Sequence, residues 1–435
     1  MAPNRPTSFD YRVLPPSAFA GRRARPTAID LFSGAGGLTL GLLNAGWDVR
    51  ACADVSAACA ATHHLNFPNI PIHVGDVSRL GSGDLLRMAG LKPGALDMLA
   101  GGPPCQGFSI LGQREGHDPR NRLFLDFMRL AHELRPKAIL IENVPGLATL
   151  EGGAALRTIS QAFDEAGYDA ACAELVAAQY GVPQLRWRMV FVGWRRGLGR
   201  SNGFPLPTHG TAGIGDLVPN RTLAAAHAEG FLSTWEAIGD LPVVAAGGTA
   251  SRYASDPACS YQVAMREGSG LEVDNHYAPR MSEVNLARIR ALKPGQDWRD
   301  LPYELLPPGM QRALRKDHTR RYRRMTWDGV PRSIITRFRD PKSGEYTHPD
   351  QHRTISIREA ARIQSFPDWF RLQGSLSDQY DQVGNAVPPL MARAVGAEIL
   401  QVLQSSAPAV PALAPKSRYR LTAPAQADLL DQAAA

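Results

Sequence analysis

One cysteine stands in the segment Gly101-Gly-Pro-Pro-Cys-Gln-Gly-Phe-Ser109, with two prolines before it and a glycine two places after. The prolines limit the backbone just ahead of Cys105, while the flanking glycines permit an unusual loop path. A thiolate is the nucleophilic form of cysteine, and a helix N-terminus or a nearby arginine would raise its population. The apolar run Met98 to Ala100 reads as a strand, so Cys105 falls at the edge where doubly wound sheets bind ligands. A cysteine alone in a loop is most often inert, so its neighbours decide its chemistry.

A carboxylate follows at a corresponding place. Glu142 ends the apolar run Ala138 to Ile141, which would set it beside Cys105 in a partly desolvated pocket. There it could hold a proton for a reacting group; the plainer alternative is a carboxylate capping a helix. Gln184, Arg186 and Arg188 alternate along an extended segment and so share one face. The arginines could stabilise developing negative charge or hold Glu142, or they could form only a solvated strand face.

A second constellation lies upstream. Asp30-Leu-Phe-Ser-Gly-Ala-Gly-Gly37 falls where the first strand turns into the first helix. Glycines there let a ligand approach the backbone and the free N–H groups of a helix start. Asp54 ends the next strand, where a carboxylate can bind ribose hydroxyls, and Asp76 ends the third, where it can accept from an adenine amino group. Thr39 occupies the third glycine position of a dinucleotide fingerprint. That weighs against a pyrophosphate cofactor and favours a nucleoside-like ligand without phosphate.

The elements needed to position these groups alternate strand and helix. Thr27 to Leu31, Val49 to Ala53, Ile70 to Val74, Met98 to Ala100, Ala138 to Glu142, Ala171 to Val176 and Met189 to Trp194 read as strands. Helices are expected at Leu38 to Ala45, Ser56 to Leu65, Leu123 to Leu134 and Ala155 to Ala166. This rhythm predicts an α/β fold with a doubly wound mixed sheet. From about residue 195 to 351 the chain is rich in Pro, Gly and Arg and lacks that rhythm, which suggests a smaller inserted domain. The periodic pattern returns over 352–404, with helices at Ser356 to Gln364 and Pro388 to Leu403. Residues 1–25 read as an N-terminal extension and 405–435 as a disordered, Ala/Pro-rich tail.

Composition sets outer bounds. The chain has 435 residues, 44% hydrophobic and 20% charged, as a soluble globular protein would. No signal-peptide pattern and no apolar run of membrane-spanning length is evident, so the expected location is the cytoplasm. Five cysteines without a CxxC or paired Cys/His pattern argue against structural zinc. A formal net charge of +7 suits a polyanionic partner. Arg312 to Arg324 concentrates that charge, and Arg332, Arg337 and Arg339 flank Ser333-Ile-Ile-Thr336, where contacts to base edges are plausible.

Taken together and in order, these segments resemble the DNA (cytosine-5)-methyltransferase family of the bacterial restriction–modification type. The resemblance is carried by DLFSGAGGLTLG (30–41), Asp54, Asp76, GGPPCQGFS (101–109), DPRNRLF (118–124), ENVPG (142–146), QLRWR (184–188), REAARIQSFP (358–367) and QVGNAVPP (382–389). It implies a Rossmann-like, S-adenosylmethionine-dependent catalytic domain with 195–351 as a target-recognition domain. It implies that Cys105 attacks carbon 6 of a flipped cytosine, that Glu142 contacts N3 and the exocyclic amine, and that Arg186 and Arg188 secure base and carboxylate. The cofactor site would comprise Phe32, Gly34, Gly36, Asp54, Asp76, Pro103, Leu123 and Asn385, with no metal. Gly107 to Arg122 would close over the flipped base as a lid, or form a simple surface loop. The implied partner is double-stranded DNA, with a separate restriction endonuclease and monomeric action as the family tendency. An RNA cytosine-5 methyltransferase, a non-catalytic DNA-binding regulator and, more remotely, an NAD-linked oxidoreductase are the alternatives.

Overall fold

The computed structural model describes residues 9–21, 24–104, 119–148, 153–200, 203–210, 229–312 and 320–405. Cys105, most of the expected lid, part of the basic run and the Ala/Pro-rich tail lie outside them.

Seven strands form one sheet: β1 (Thr27–Leu31), β2 (Asp48–Asp54), β3 (Ile72–Val74), β4 (Met98–Gly101), β5 (Ala138–Asn143), β6 (Tyr168–Val176) and β7 (Trp187–Arg195), in the order β3-β2-β1-β4-β5-β7-β6. The first five are parallel, and β7 runs antiparallel to both β5 and β6. Parallel strands need helical crossovers. These are α1 (Gly37–Ala45), α2 (Ala57–Asn66), α3 (Ser82–Ala89), α4 (Pro119–Leu134) and α5 (Ala154–Glu165). The chain leaves β1 towards β2 and β3, then returns to β4 on the other side. That reversal opens a crevice at the carboxyl ends of β1 and β4.

Alternate residues of each buried strand serve opposite faces, as a period of two demands. Ile29, Leu31, Ile139 and Ile141 pack with Phe127 and Phe163 on one face. Ala28, Leu140, Val190 and Val192 belong to the larger core on the other.

The remaining helices are α6 (Thr234–Ile238), α7 (Ser260–Arg266), α8 (Glu283–Ala291), α9 (Pro308–Gln311), α10 (Ile357–Ile363), α11 (Leu376–Asn385) and α12 (Pro389–Gln404). The C-terminal helix α12 crosses α1 so closely that a Cβ at Gly41 would lie 2.3 Å from that of Ala392. The tract expected as a second domain divides. Leu232, Ile238, Tyr261, Met265, Ile334 and Phe338 share the larger core with the sheet. Leu292, Trp298, Leu301, Leu306, Met310 and Tyr322 form a small core of their own.

At the junction lies α10, wholly buried despite carrying Arg358, Glu359 and Arg362. Arg353 makes a two-pronged pair with Glu359, 2.7 Å on each side. Arg362 pairs with Asp368 at 2.6 Å and Asp240 at 3.1 Å. Arg358 donates to the carbonyls of Asp274, Pro367 and Phe370. Buried guanidinium groups are tolerated only when so satisfied. By length and hydropathy alone the 29-residue stretch Leu376–Gln404 is apolar enough to cross a membrane, which the sequence reading did not register. It comprises two helices separated at Ala386 to Pro388, and half of its apolar window is buried against the rest of the protein.

Candidate active site

After Leu31 the chain turns through left-handed backbone at Phe32 (φ 57°), Gly34 (φ 54°) and Gly36 (φ 93°) before entering α1. Glycine adopts this region freely, whereas Phe32 adopts it at a cost of about 1–2 kcal/mol that the surrounding bonds must offset. Those bonds are visible: Ser33 N–H donates to the Ala53 carbonyl and Gly36 N–H to that of Ser33. Asp54, at the end of β2, fixes the loop from the other side. Its two carboxylate oxygens accept from the N–H groups of Gly34 and Ser56, 2.8 Å each.

The loop forms one wall of a cleft of about 590 Å³, within the roughly 300–1,000 Å³ of small-molecule sites. Its lining brings together Phe32, Gly34, Asp54, Pro103, Glu142, Arg188 and Asn385. Gly36 sits below the lining as the N-cap of α1, where an added Cβ would press 2.5 Å from the Phe67 ring. Asp76 is exposed and outside the lining. The Ser78 backbone N–H, bonded to its carboxylate, lowers its pKa. Leu123 lies in the first turns of α4, half-buried and likewise outside the lining.

Glu142 and Arg188 occupy neighbouring antiparallel strands, β5 and β7, near their shared end. Their side chains pair at 2.5 Å, each about one-eighth exposed. Arg186, two residues earlier, turns elsewhere. Its guanidinium donates to the carbonyls of Ile334 (2.6 Å), Gly384 (3.0 Å) and Ala386 (3.0 Å). Burial disfavours its charge and pulls its pKa down, with Arg188 adding to that effect. Gln184 is buried beside it, accepting from Ile334 N–H at 2.7 Å and donating to the Gln364 side chain at 2.9 Å.

Two contributions escaped the sequence reading. Asn143 donates to the Pro103 carbonyl at 3.0 Å and so fixes the backbone two residues before Cys105. Helix α11 supplies Asp378, Asp381 and Gln382 to the cleft. Its signal was the pair Ser375 and Asp378, a reciprocal capping box that marks a helix start.

Beneath the glycine turn, Asp30 is fully buried and accepts from the Thr39 hydroxyl at 2.6 Å. Burial raises its pKa to about 7 despite that bond.

A sheet of this order, with a glycine turn, a strand-end acid and a cleft over the carboxyl ends of its parallel strands, defines the S-adenosylmethionine-dependent methyltransferase fold. A protein from an Escherichia coli prophage, described as a DNA modification methyltransferase, shares it with a TM-score of 0.65 at 24% identity, over 87% of this chain and 100% of that one. A family model described as C-5 cytosine-specific DNA methylase matches residues 27–401. The Type II methyltransferase M.AgeI of Thalassovita gelatinovora is 32% identical, over 86% of this chain and 99% of its own. M.XorII of Xanthomonas oryzae, also a Type II methyltransferase, is 33% identical over 87% of this chain and 86% of its own. The chain belongs to the C-5 cytosine-specific DNA methylase family.

Proposed function

We propose that this DNA (cytosine-5)-methyltransferase uses Cys105 as a covalent nucleophile, with Glu142 and Arg188 on the target base, against a methyl donor held in the adjoining cleft. The observation that carries this reading is the Glu142–Arg188 pair, 2.5 Å apart in the wall of the cleft that also holds Asp54 and Pro103.

The cleft fits S-adenosylmethionine by the chemistry of its donor set. It combines an acid at a strand end, left-handed backbone at Gly34 with nothing near its Cβ position, and further carboxylates from α11. Asp54 would hold the ribose, with Phe32, Gly34, Pro103 and Asn385 around the rest. Asp76, Leu123 and Gly36 would act from the periphery. When bound, the cofactor supplies an electrophilic methyl group.

The target base must first leave the stack, at a cost of a few kcal/mol. Its ring is electron-poor, so carbon 5 cannot attack a methyl group unaided. The Cys105 thiolate forms a bond to carbon 6, and the ring's electron pair shifts so that carbon 5 becomes enamine-like. Glu142 holds a proton at N3 where charge accumulates, and Arg188 fixes the Glu142 carboxyl. After methyl transfer, carbon 5 releases its proton to a base and the sulfur–carbon 6 bond breaks, restoring the thiolate. Arg186 contributes through position: it ties the end of β7 to residues 334 and 384–386.

The 195–351 tract would read the DNA sequence, and a separately acting restriction endonuclease would be the functional counterpart. Expression in methylation-free cells followed by bisulfite sequencing tests the reading. Protected cytosines in one short sequence context support it, and uniform conversion refutes it.

A further inference from the structure

The segment Arg332 to Arg339 is held against both the β7 end of the sheet and α11. Leu185 and Arg332 form a parallel bridge, and Leu185 N–H donates to the Pro331 carbonyl at 2.8 Å. Both backbone groups of Ile334 are taken: its N–H by Gln184 at 2.7 Å, its carbonyl by Arg186 at 2.6 Å. Next, α11 closes against it. A Cβ at Gly384 would lie 2.3 Å from the Thr336 nitrogen and 2.6 Å from the Ile335 carbonyl carbon. A tight turn follows, closed by Phe338 N–H on the Ile335 carbonyl at 3.2 Å. Phe338 is then buried edge-on against Tyr380, 4.7 Å between ring centroids.

Between these two buried anchors the chain presents Ile335, 40% exposed, and the exposed Arg337. Arg339, also exposed, follows the second anchor. No acidic side chain among the described residues pairs with either arginine. By contrast, Glu345 takes both Arg320 and Arg323 of the basic run, and five backbone or imidazole acceptors hold Arg324 in the interior. Asn385, which lines the cleft, directly follows the Gly384 that touches this segment. Arg337, Arg339 with its guanidinium 5.5 Å over the Tyr380 ring, and a branched apolar side chain on a turn held against the cleft-lining helix α11 are a preorganised surface for a polyanion with a stacked interior.

We infer that the Ile335–Arg339 turn is a DNA-contacting element in which Ile335 enters the base stack beside the target cytosine and Arg337 and Arg339 hold flanking phosphates. Gln184 and Arg186 are then positioning residues that aim it. This rests on the cytosine-methyltransferase reading above. Side-chain insertion between bases offsets part of the unstacking cost and fills the space a flipped base leaves.

The test uses the full chain and two duplexes carrying the site found by bisulfite sequencing, one matched and one with an abasic position opposite the target cytosine. Ile335→Ala should lower kcat/KM on the matched duplex by ~10-fold or more, yet stay within ~3-fold of the parent on the abasic duplex, whose target is already unpaired. Ile335→Leu should restore most of the loss. Arg337→Gln should reduce the slope of log affinity against log salt by about one. Equal losses on both duplexes, or none on the matched one with the parent active, overturn the inference alone. A parent that methylates neither duplex overturns the underlying reading together with it.

Discussion

Replacing Asp30 by Asn should reshape the pH dependence of stability without touching the surface of the cleft. Asp30 is completely buried at the end of β1, and burial lifts its pKa from an ordinary 3.8 to about 7. Between those values the folded protein holds a proton that the unfolded chain releases. The favourable contribution is therefore fully present below about pH 4 and is lost as pH rises through about 7. At roughly 1.4 kcal/mol per pH unit, that span amounts to about 4 kcal/mol as an upper bound. Asn cannot ionise, and its side-chain oxygen can accept the same bond from Thr39. The carboxylate's second oxygen has no partner, so little else is forfeited. Urea unfolding of both proteins from pH 5 to pH 8.5 should show Asp30→Asn gaining about 2–4 kcal/mol on the parent across that range. Parallel stability curves would refute the assignment of a buried, late-titrating carboxyl at this position.

Two other substitutions probe how the tract is joined to the sheet. Gly384→Ala puts a methyl group against the backbone of Ile335 and Thr336, which cannot retreat as a flexible side chain would. It should cost about 1–3 kcal/mol in chemical unfolding and lower activity on DNA more than affinity for the methyl donor. Glu359 is buried, and the paired Arg353 guanidinium holds its pKa well below the usual range against the opposing effect of burial. Glu359→Gln should therefore destabilise by about 3–5 kcal/mol, while joint replacement of Glu359 and Arg353 by apolar residues should cost clearly less than the two single changes summed.

Much of the catalytic half was legible because its signals are local. A continuous apolar run at Ala138 to Ile141, a glycine turn after Thr27 to Leu31 and prolines opening α12 each report on a few adjacent residues. The face shared by Gln184, Arg186 and Arg188 could also be read, but not what each side chain meets. Arg186 donates through its two terminal nitrogens to carbonyls about 150 and 200 positions away, and no spacing rule carries that. The surroundings of the basic run were hidden for a related reason. Tyr322 and Arg324 turn inward, and Glu345 pairs with both Arg320 and Arg323, so a string of charges became partly interior structure. Helices α3 and α11 were missed because they are only two or three turns long and carry few apolar residues, although those they have fall on one face. With α11 went three of the residues lining the cleft. The tract's division between the sheet's core and a small core of its own depends on tertiary packing that its irregular sequence does not announce.

The central claim is covalent catalysis by Cys105, and duplex DNA carrying 5-fluorocytosine at the target position tests it most directly. Fluorine cannot leave as the carbon 5 proton does, so the adduct formed after methyl transfer cannot resolve. With S-adenosylmethionine present, the parent protein should form a complex with this DNA that survives denaturing electrophoresis, and Cys105→Ala should form none while retaining its fold. A Cys105→Ala protein that still traps the DNA, or a parent that methylates cytosine but never traps, would contradict the account.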